Sequence, residues 1–339
     1  RLVVHPNDHI NLGQSSNDVV PSSSLLASAL LLKRVLLPAV KQLRRSVARK
    51  ARQGRGLLKT GRTHLMDAMP MTVEQELSGW QAQLDSATQR LQDAGKRLMA
   101  LPLGGTAVGT GVNADPKMAV LACRILARNT GLRITPAANK FESIASQDHL
   151  VELSGQCNAL AVTLMKIAND LRWMNSGPLT GLAEAELPAL QPGSSIMPGK
   201  VNPVIPEAVA MACAQVMGNH ASITIAGQCG NFQLNTMMPV IAYNSIQNLN
   251  LLANACRHLA EKAIDGLKFN KARMNEALAR NPILVTALNP IIGYEKAAQI
   301  AKRAYAESRP VIDVAKEMTD LSLAELKVLL DPARLTDGA

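Results

Sequence analysis

Apolar residues recur at helical spacing along most of the chain. Between 22 and 52, Leu25, Leu26, Ala29, Leu32, Val35 and Leu36 follow a 3.6-residue period, which predicts a helix. Pro38 inside it predicts a kink rather than an end. A second helix is expected over about 72–98, opened by Thr72 and Gln75 as a capping box. Three long helices follow, at roughly 146–175, 206–225 and 237–262. In the first, Leu150, Leu153, Cys157, Leu160, Leu164, Ile167 and Leu171 form one stripe, and Ala161, Val162, Ala168 and Met174 widen it beyond one face. A helix apolar on most sides is buried on most sides. One chain with few long helices cannot surround each of them, so they are expected to pack against copies of themselves in a homo-oligomer.

The remaining segments read differently. Residues up to Gln14 are irregular. "LPLGGTAVGTGVN" (101–113) is a glycine-rich turn, and with no strand pattern before it a dinucleotide loop is not expected. From Asn270 the chain carries a turn, "NPIIGY", and short helices at about 295–308, 311–317 and 323–330. The expected fold is therefore all-α: a central helical-bundle domain over 1–269 and a small helical domain over 270–339.

Composition agrees. Hydrophobic residues make up 47% and aromatics 2%, so the core is built from Leu, Ala, Val, Ile and Met, which favours packed helices over sheets. The net charge of +10 concentrates in "KQLRRSVARKARQGR" (41–55), which has no interleaved aromatics and reads as a solvated helix face; nucleic acid is not expected as a partner. Cys123, Cys157, Cys213, Cys229 and Cys256 form no CxxC pair, which fits a reducing compartment, the cytoplasm, and neither metal nor disulfide chemistry. "LLASALLL" is interrupted by Lys33 and Arg34, so no membrane span is expected.

Candidate chemistry begins at "GSSIMPGKVNP" (193–203). Its glycines and prolines exclude regular structure. Ser194, Ser195, Lys200 and Asn202 offer donors just ahead of a helix start, which suits a carboxylate; a linker of small residues is the alternative. "GQSSND" (13–18) is dense in hydroxyl and amide donors before another helix. "GRTH" supplies Thr63 and His64, and Glu207 falls in the first turn of the helix after the serine loop.

Together with "HPND", "GGTAVGTG", "NKFE" (139–142), "KIANDLR" (166–172), "CAQVMGNH" (213–220) and "LVTALNPIIGY" (284–294), these segments resemble the fumarase/aspartase superfamily, and most closely class II fumarases, over nearly the whole chain. The resemblance implies a long helical bundle, a homotetramer with active sites shared between subunits, no cofactor, no metal, and a small dicarboxylate substrate. It implies reversible hydration of fumarate to malate through an aci-carboxylate. Ser194 would be the base. Lys200 and Asn202, with Ser195, would hold the charged carboxylate. Ser15, Ser16, Asn17 and Thr63 would bind the other oxygens. His64, paired with Glu207 of another subunit, would handle the water. It also implies a second dicarboxylate site at His5, Asn7 and Asp8, which otherwise read as a turn. An N-terminal domain would precede His5, and residues 1–339 without it are expected to turn over weakly. One departure is "VIPE" (204–207), which is closer to the aspartase branch and makes aspartate ammonia-lyase the alternative; a non-catalytic scaffold protein is a further rival, disfavoured by the retained Ser194, Lys200, Asn202, His64 and Glu207.

Overall fold

The structure, a computed structural model, describes residues 3–336. The long helices form where the apolar period predicts them, and the ends are set by caps. After a single wide turn at Pro6–Ile10 come α1 (Ser16–Leu31) and α2 (Leu37–Gln53). Strands β1 (Leu58–Thr63) and β2 (Met66–Thr72) form a hairpin, followed by α3 (Val73–Arg97), β3 (Ala100–Leu101) and α4 (Met118–Thr130). Next are β4 (Thr135–Pro136), α5 (Lys140–Ala145), α6 (Asp148–Met174), β5 (Ala185–Glu186), α7 (Val204–Gln228) and α8 (Met238–Leu259). The chain ends with β6 (Lys268–Phe269), α9 (Lys271–Ala279), α10 (Asn289–Ile292), α11 (Tyr294–Ala306), α12 (Val311–Met318) and α13 (Leu323–Leu329).

Pro38 does not break its helix. The turn Leu32–Leu36 widens to π geometry, and the Leu37 N–H donates to the Leu32 carbonyl. Pro38 has no N–H to offer, and its ring would crowd the carbonyl four residues back; widening the preceding turn makes room. Thr72 and Gln75 form the capping box as expected, with the Thr72 N–H donating to Gln75 Oε1 at 2.9 Å and the Gln75 N–H to Thr72 Oγ1 at 3.0 Å. The hairpin, α4, α5 and α9 are additions to the sequence reading. "NPIIGY" is mostly the short helix α10, ended by Gly293 at φ +79°.

One expectation is corrected. Ser16–Gln53 is 38 residues long with an 18-residue stretch of mean hydropathy 1.6, long and apolar enough to cross a membrane by length and composition. Lys33 and Arg34 therefore do not cut it short. Within the protein it is a core helix: Leu25, Ala29, Leu32, Leu36, Leu43 and Val47 are buried. The basic run on its second half is only partly a solvated face. Lys41, Arg45 and Arg52 are exposed, but Arg44 pairs with Asp85 and Arg49 with Asp265. Lys50 is buried and donates to the carbonyls of Asp265 and Leu267. Burial lowers the Lys50 pKa.

Contacts divide the chain into two compact units. The first comprises Arg1–Arg45, Ala82–Asn169 and Val204–Glu261. Here the α6 stripe from Leu150 to Ile167 is buried, while Val162 is 54% exposed. α7 packs on α8, and an amide chain centred on the buried Asn219 and Asn248 sets their register. Gln215 Nε2 donates to Asn219 Oδ1, and Asn219 Nδ2 donates to Gln247 Oε1 and Asn248 Oδ1, all within 2.7–2.8 Å. Sliding either helix by one turn would part the buried Asn219 and Asn248 from each other in an apolar interior.

The second unit comprises Ser46–Gln81, Asp170–Pro203 and Lys262–Ala339. Its core gathers Leu284, Leu288, Ile300, Val311, Val314 and Leu326, with Leu58 of β1 packed against it. Asn281 is buried and links the tail to the hairpin: its Nδ2 donates to the Ala68 carbonyl at 2.8 Å, while its Oδ1 accepts from the Ile283 N–H. Replacing Leu164, fully buried on α6, by Ala is expected to cost about 2–5 kcal/mol, measured as a lower urea midpoint at unchanged slope.

Candidate active site

The serine loop is a closed structure, not a linker. The Gly193 N–H donates to the Lys200 carbonyl at 2.8 Å, and Asn202 Nδ2 donates to the Gly193 carbonyl at 3.0 Å. A side chain at 193 would sit 2.5 Å from the Lys200 oxygen, so only glycine allows this closure. Inside it, Pro198 and Gly199 (φ +83°) occupy the central positions of a turn closed by the Lys200 N–H on the Met197 carbonyl, the Pro-Gly pattern of a type II turn. Ser194 Oγ accepts from the N–H groups of Ile196 (3.3 Å) and Met197 (3.2 Å). Two peptide dipoles therefore converge on this hydroxyl oxygen. They favour negative charge there and leave the hydroxyl proton free to be given away. Ser195 and Lys200 are exposed. A cleft of about 770 Å³ lies against the loop, lined by Lys200, Asn202, Glu186, Lys268, Phe269 and Asn270. A second hollow of about 480 Å³ reaches Ser194.

The same unit carries Thr63 and His64. Thr63 pairs with Met66 across the hairpin, leaving His64 and Leu65 as a two-residue turn with φ +54° and +60°. That left-handed pair belongs to a type I′ turn, usually Asn-Gly. Non-glycine residues there cost of order 1–3 kcal/mol each, a strain that collects at functional sites. His64 is exposed at the tip. Gly61 is fixed by packing: a Cβ would lie 2.8 Å from the Met69 carbonyl oxygen, where the strand pairing shifts register.

In the other unit, Ser15 caps α1. Its Oγ accepts from the Asn17 N–H at 3.1 Å, and its own N–H donates to Asp18 Oδ1. Asn17 Nδ2 donates to the Ala107 carbonyl. Two of the expected substrate-binding residues are thus partly committed to local bonds, while Ser16 stays exposed. Asp18 is 0% exposed, and its Oδ2 accepts from the N–H groups of Gly104 and Thr106, both at 2.9 Å. This carboxylate joins "QSSND" to the glycine-rich turn 86 residues away in sequence. Glu207 lies half-buried in the first turn of α7, where the helix dipole favours a carboxylate. His5 Nδ1 caps the first turn by accepting from the Asp8 N–H at 3.2 Å. His5, Asn7 and Asp8 are all exposed.

Sequence reasoning passed over a set of buried charges. Lys59 is 2% exposed and Glu184 1%. Lys59 Nζ donates to both oxygens of Glu76 (3.0 and 2.8 Å) and lies 2.9 Å from Glu184 Oε2. Arg62 Nη2 lies 2.7 Å from Glu184 Oε1. The contacts to Glu184 are ion pairs off the hydrogen-bond axis. Burial works against its charge, but Arg62 and Lys59 outweigh it and hold the carboxyl below the ordinary 4.5. Nothing in the pattern around "LLKTGR" or "LAEAEL" distinguishes these charges from surface ones. The buried thiols of Cys157 and Cys213 are pushed up to about 12 and are not nucleophiles at neutral pH. Among the described residues no three His, Cys, Asp or Glu side chains group as metal ligands.

Residues 2–218 match the family described as Lyase, and the predominantly helical fold agrees with that class. Residues 284–337 match the family described as Fumarase C C-terminus. The chain belongs to this lyase family, within its class II fumarate hydratase branch. It is 62% identical to "Fumarate hydratase class II" of Xylella fastidiosa over 335 residues, covering 99% of this chain and 71% of that protein. It is 58% identical to "Fumarate hydratase class II 2" of Pseudomonas aeruginosa, again over 99% of this chain and 73% of that protein. In structure it superposes on the class II fumarase of Schistosoma mansoni with a TM-score of 0.97 at 37% identity, covering 100% of this chain and 74% of that one.

Two tests follow from this geometry. Asp18→Ala strips three peptide N–H groups of their acceptor and is expected to destabilise the protein by about 3 kcal/mol, read by thermal or urea unfolding. Because the folded value of Glu184 lies below 4.5, its stabilisation is complete above that pH and lost as pH falls through the folded value. Urea midpoints measured from pH 6 downward should therefore fall less steeply in Glu184→Gln than in the parent.

Proposed function

We propose that this chain is a fumarate hydratase that adds water reversibly to fumarate to give malate, a reaction of the tricarboxylic acid cycle. The observation that carries the mechanism is the Ser194 hydroxyl oxygen accepting two backbone N–H groups inside a loop pinned by Gly193. In the malate-consuming direction Ser194, as alkoxide, takes the proton from the carbon next to a carboxylate. The electron pair of that C–H bond moves into the carboxylate, giving an aci-carboxylate. Lys200 and Asn202, with Ser195, hold the added charge; one such donor is typically worth about 3–4 kcal/mol. His64, its tautomer fixed by Glu207 of a second subunit, protonates the departing hydroxide. Water leaves and the double bond of fumarate forms. Thr63, Ser15, Ser16 and Asn17 bind the remaining oxygens, and His5, Asn7 and Asp8 form a second, weaker dicarboxylate site.

We assign a homotetramer. α7 carries one Asp or Glu and no Lys or Arg over Val204–Gln228, and its exposed stripe runs Ala208, Met211, Gln215, Gly218, Ser222 and Ile225, uncharged throughout. With Val162 and Tyr243, also exposed, these surfaces suit burial against other copies. The free cysteines fit a reducing compartment, the cytoplasm. The relatives named above are all fumarate hydratases, which favours water over ammonia as the leaving group despite "VIPE".

The test uses the full-length protein. Malate and aspartate are supplied separately and fumarate is followed by its ultraviolet absorbance. Turnover of malate alone is expected; turnover of aspartate alone would replace this reading with ammonia-lyase. Ser194→Ala is expected to lower kcat about 10³-fold at unchanged unfolding temperature. An unchanged kcat would remove Ser194 as the base, and a monomeric mass by light scattering would remove the shared site.

A further inference from the structure

We propose that Lys59, Arg62, Glu76 and Glu184 form a positioning clamp that holds the Thr63–His64 turn against the stem of the serine loop. The proposal rests on the roles given above to His64 and Ser194.

The argument starts from strand parity. Residues 59 and 62 are an odd number apart and would face opposite sides of a regular strand. The pairing of β1 with β2 shifts register between Thr60 and Arg62, and Gly61 sits at the shift. The extra residue lies in β2, between Asp67 and Pro70, and such a bulge raises the local twist of the pair; across it Lys59 and Arg62 both reach Glu184, at 2.9 and 2.7 Å. The close approach of Gly61 to the Met69 carbonyl is what allows that bulge. The glycine and arginine of "GRTH" thus serve one purpose: the first makes room for the bulge in the facing strand and the second anchors β1 one residue before Thr63.

Glu184 ties the other end. It immediately precedes β5, which pairs with β6, and its own carbonyl accepts from the Asn270 N–H at 2.9 Å. Ten residues later the same segment delivers Ser194. Glu76, in the first turn of α3, completes the charge balance with two cations and two carboxylates. A buried ion cluster adds little stability over apolar residues of equal volume. What it adds is fixed atom-to-atom distances for the strand that carries Thr63 and His64, which a residue that must meet a substrate at a defined position requires.

The experiment compares the full-length parent with Glu184→Gln, which keeps the shape but cannot pair with two cations. Each is assayed for kcat and KM on malate, and amide hydrogen exchange is followed by mass spectrometry. Glu184→Gln is expected to lower kcat about a hundredfold with KM changed by less than about threefold. Exchange should quicken in residues 58–72 and stay unchanged in 148–169 and 204–228. Glu184→Asp, which keeps the charge, should recover part of kcat. Arg62→Gln, at a less buried position, carries the same test if Glu184→Gln fails to fold. An unchanged kcat, or a lost kcat with no change of exchange in 58–72, overturns the clamp. A parent inert on malate overturns the proposed reaction instead, and exchange in 58–72 still decides the clamp.

Discussion

A carboxylate leaves water only where donors or cations replace its hydration shell, and the functional segments of this protein are held by that rule. Asp18 is fully buried and takes three peptide N–H groups, one from Ser15 and two from the glycine-rich turn. Glu184 is equally buried and takes Lys59 and Arg62. Neither arrangement survives loss of a partner, so each fixes the segments it joins. The first orders the donor-rich start of α1; the second orders the strand that leads into His64. Both lie under residues assigned to substrate rather than among them.

Backbone geometry does the finer placement. The serine loop closes because Gly193 lets its own N–H approach the Lys200 carbonyl, and the Pro198-Gly199 turn brings Lys200 back toward the start. Ser194 then meets two N–H groups of its own loop. At the hairpin the order is reversed: His64 and Leu65 accept left-handed conformations without being glycine. A stable I′ turn would prefer Asn-Gly, so the imidazole at that tip is retained against local preference, and the bulge at Gly61 and the packing of Asn281 on Ala68 supply the restraint.

The long helices explain how such a site is carried. They are built from Leu, Ala, Val, Ile and Met with almost no aromatics, so their registers are weakly specified by shape alone. Polar groups inside them, the amide chain centred on Asn219 above all, supply the missing specificity. The uncharged outer side of α7 is the surface on which the proposed tetramer would form.

Much of this could be read along the chain. The 3.6-residue period located the long helices within a few residues, Thr72 and Gln75 marked the start of α3, and the density of Gly, Pro and Ser showed that 193–203 is a loop. These signals are local, set by backbone sterics and by which face of a helix is apolar. The hairpin escaped because "LLKTGRTHLMDAMPMT" lacks period-two alternation and has no Asn-Gly turn. The π-turn before Pro38 escaped because a kink can be absorbed in several ways. Asp18, Lys59, Arg62 and Glu184 looked like ordinary polar residues, since a charge is buried only when partners 17 to 125 positions away converge on it. The sequence by itself determined where the long helices and the serine loop lie and which residues are candidates for the chemistry. Tertiary structure alone decided which charges left water and which segments they hold, because desolvation depends on neighbours in space and not on neighbours along the chain.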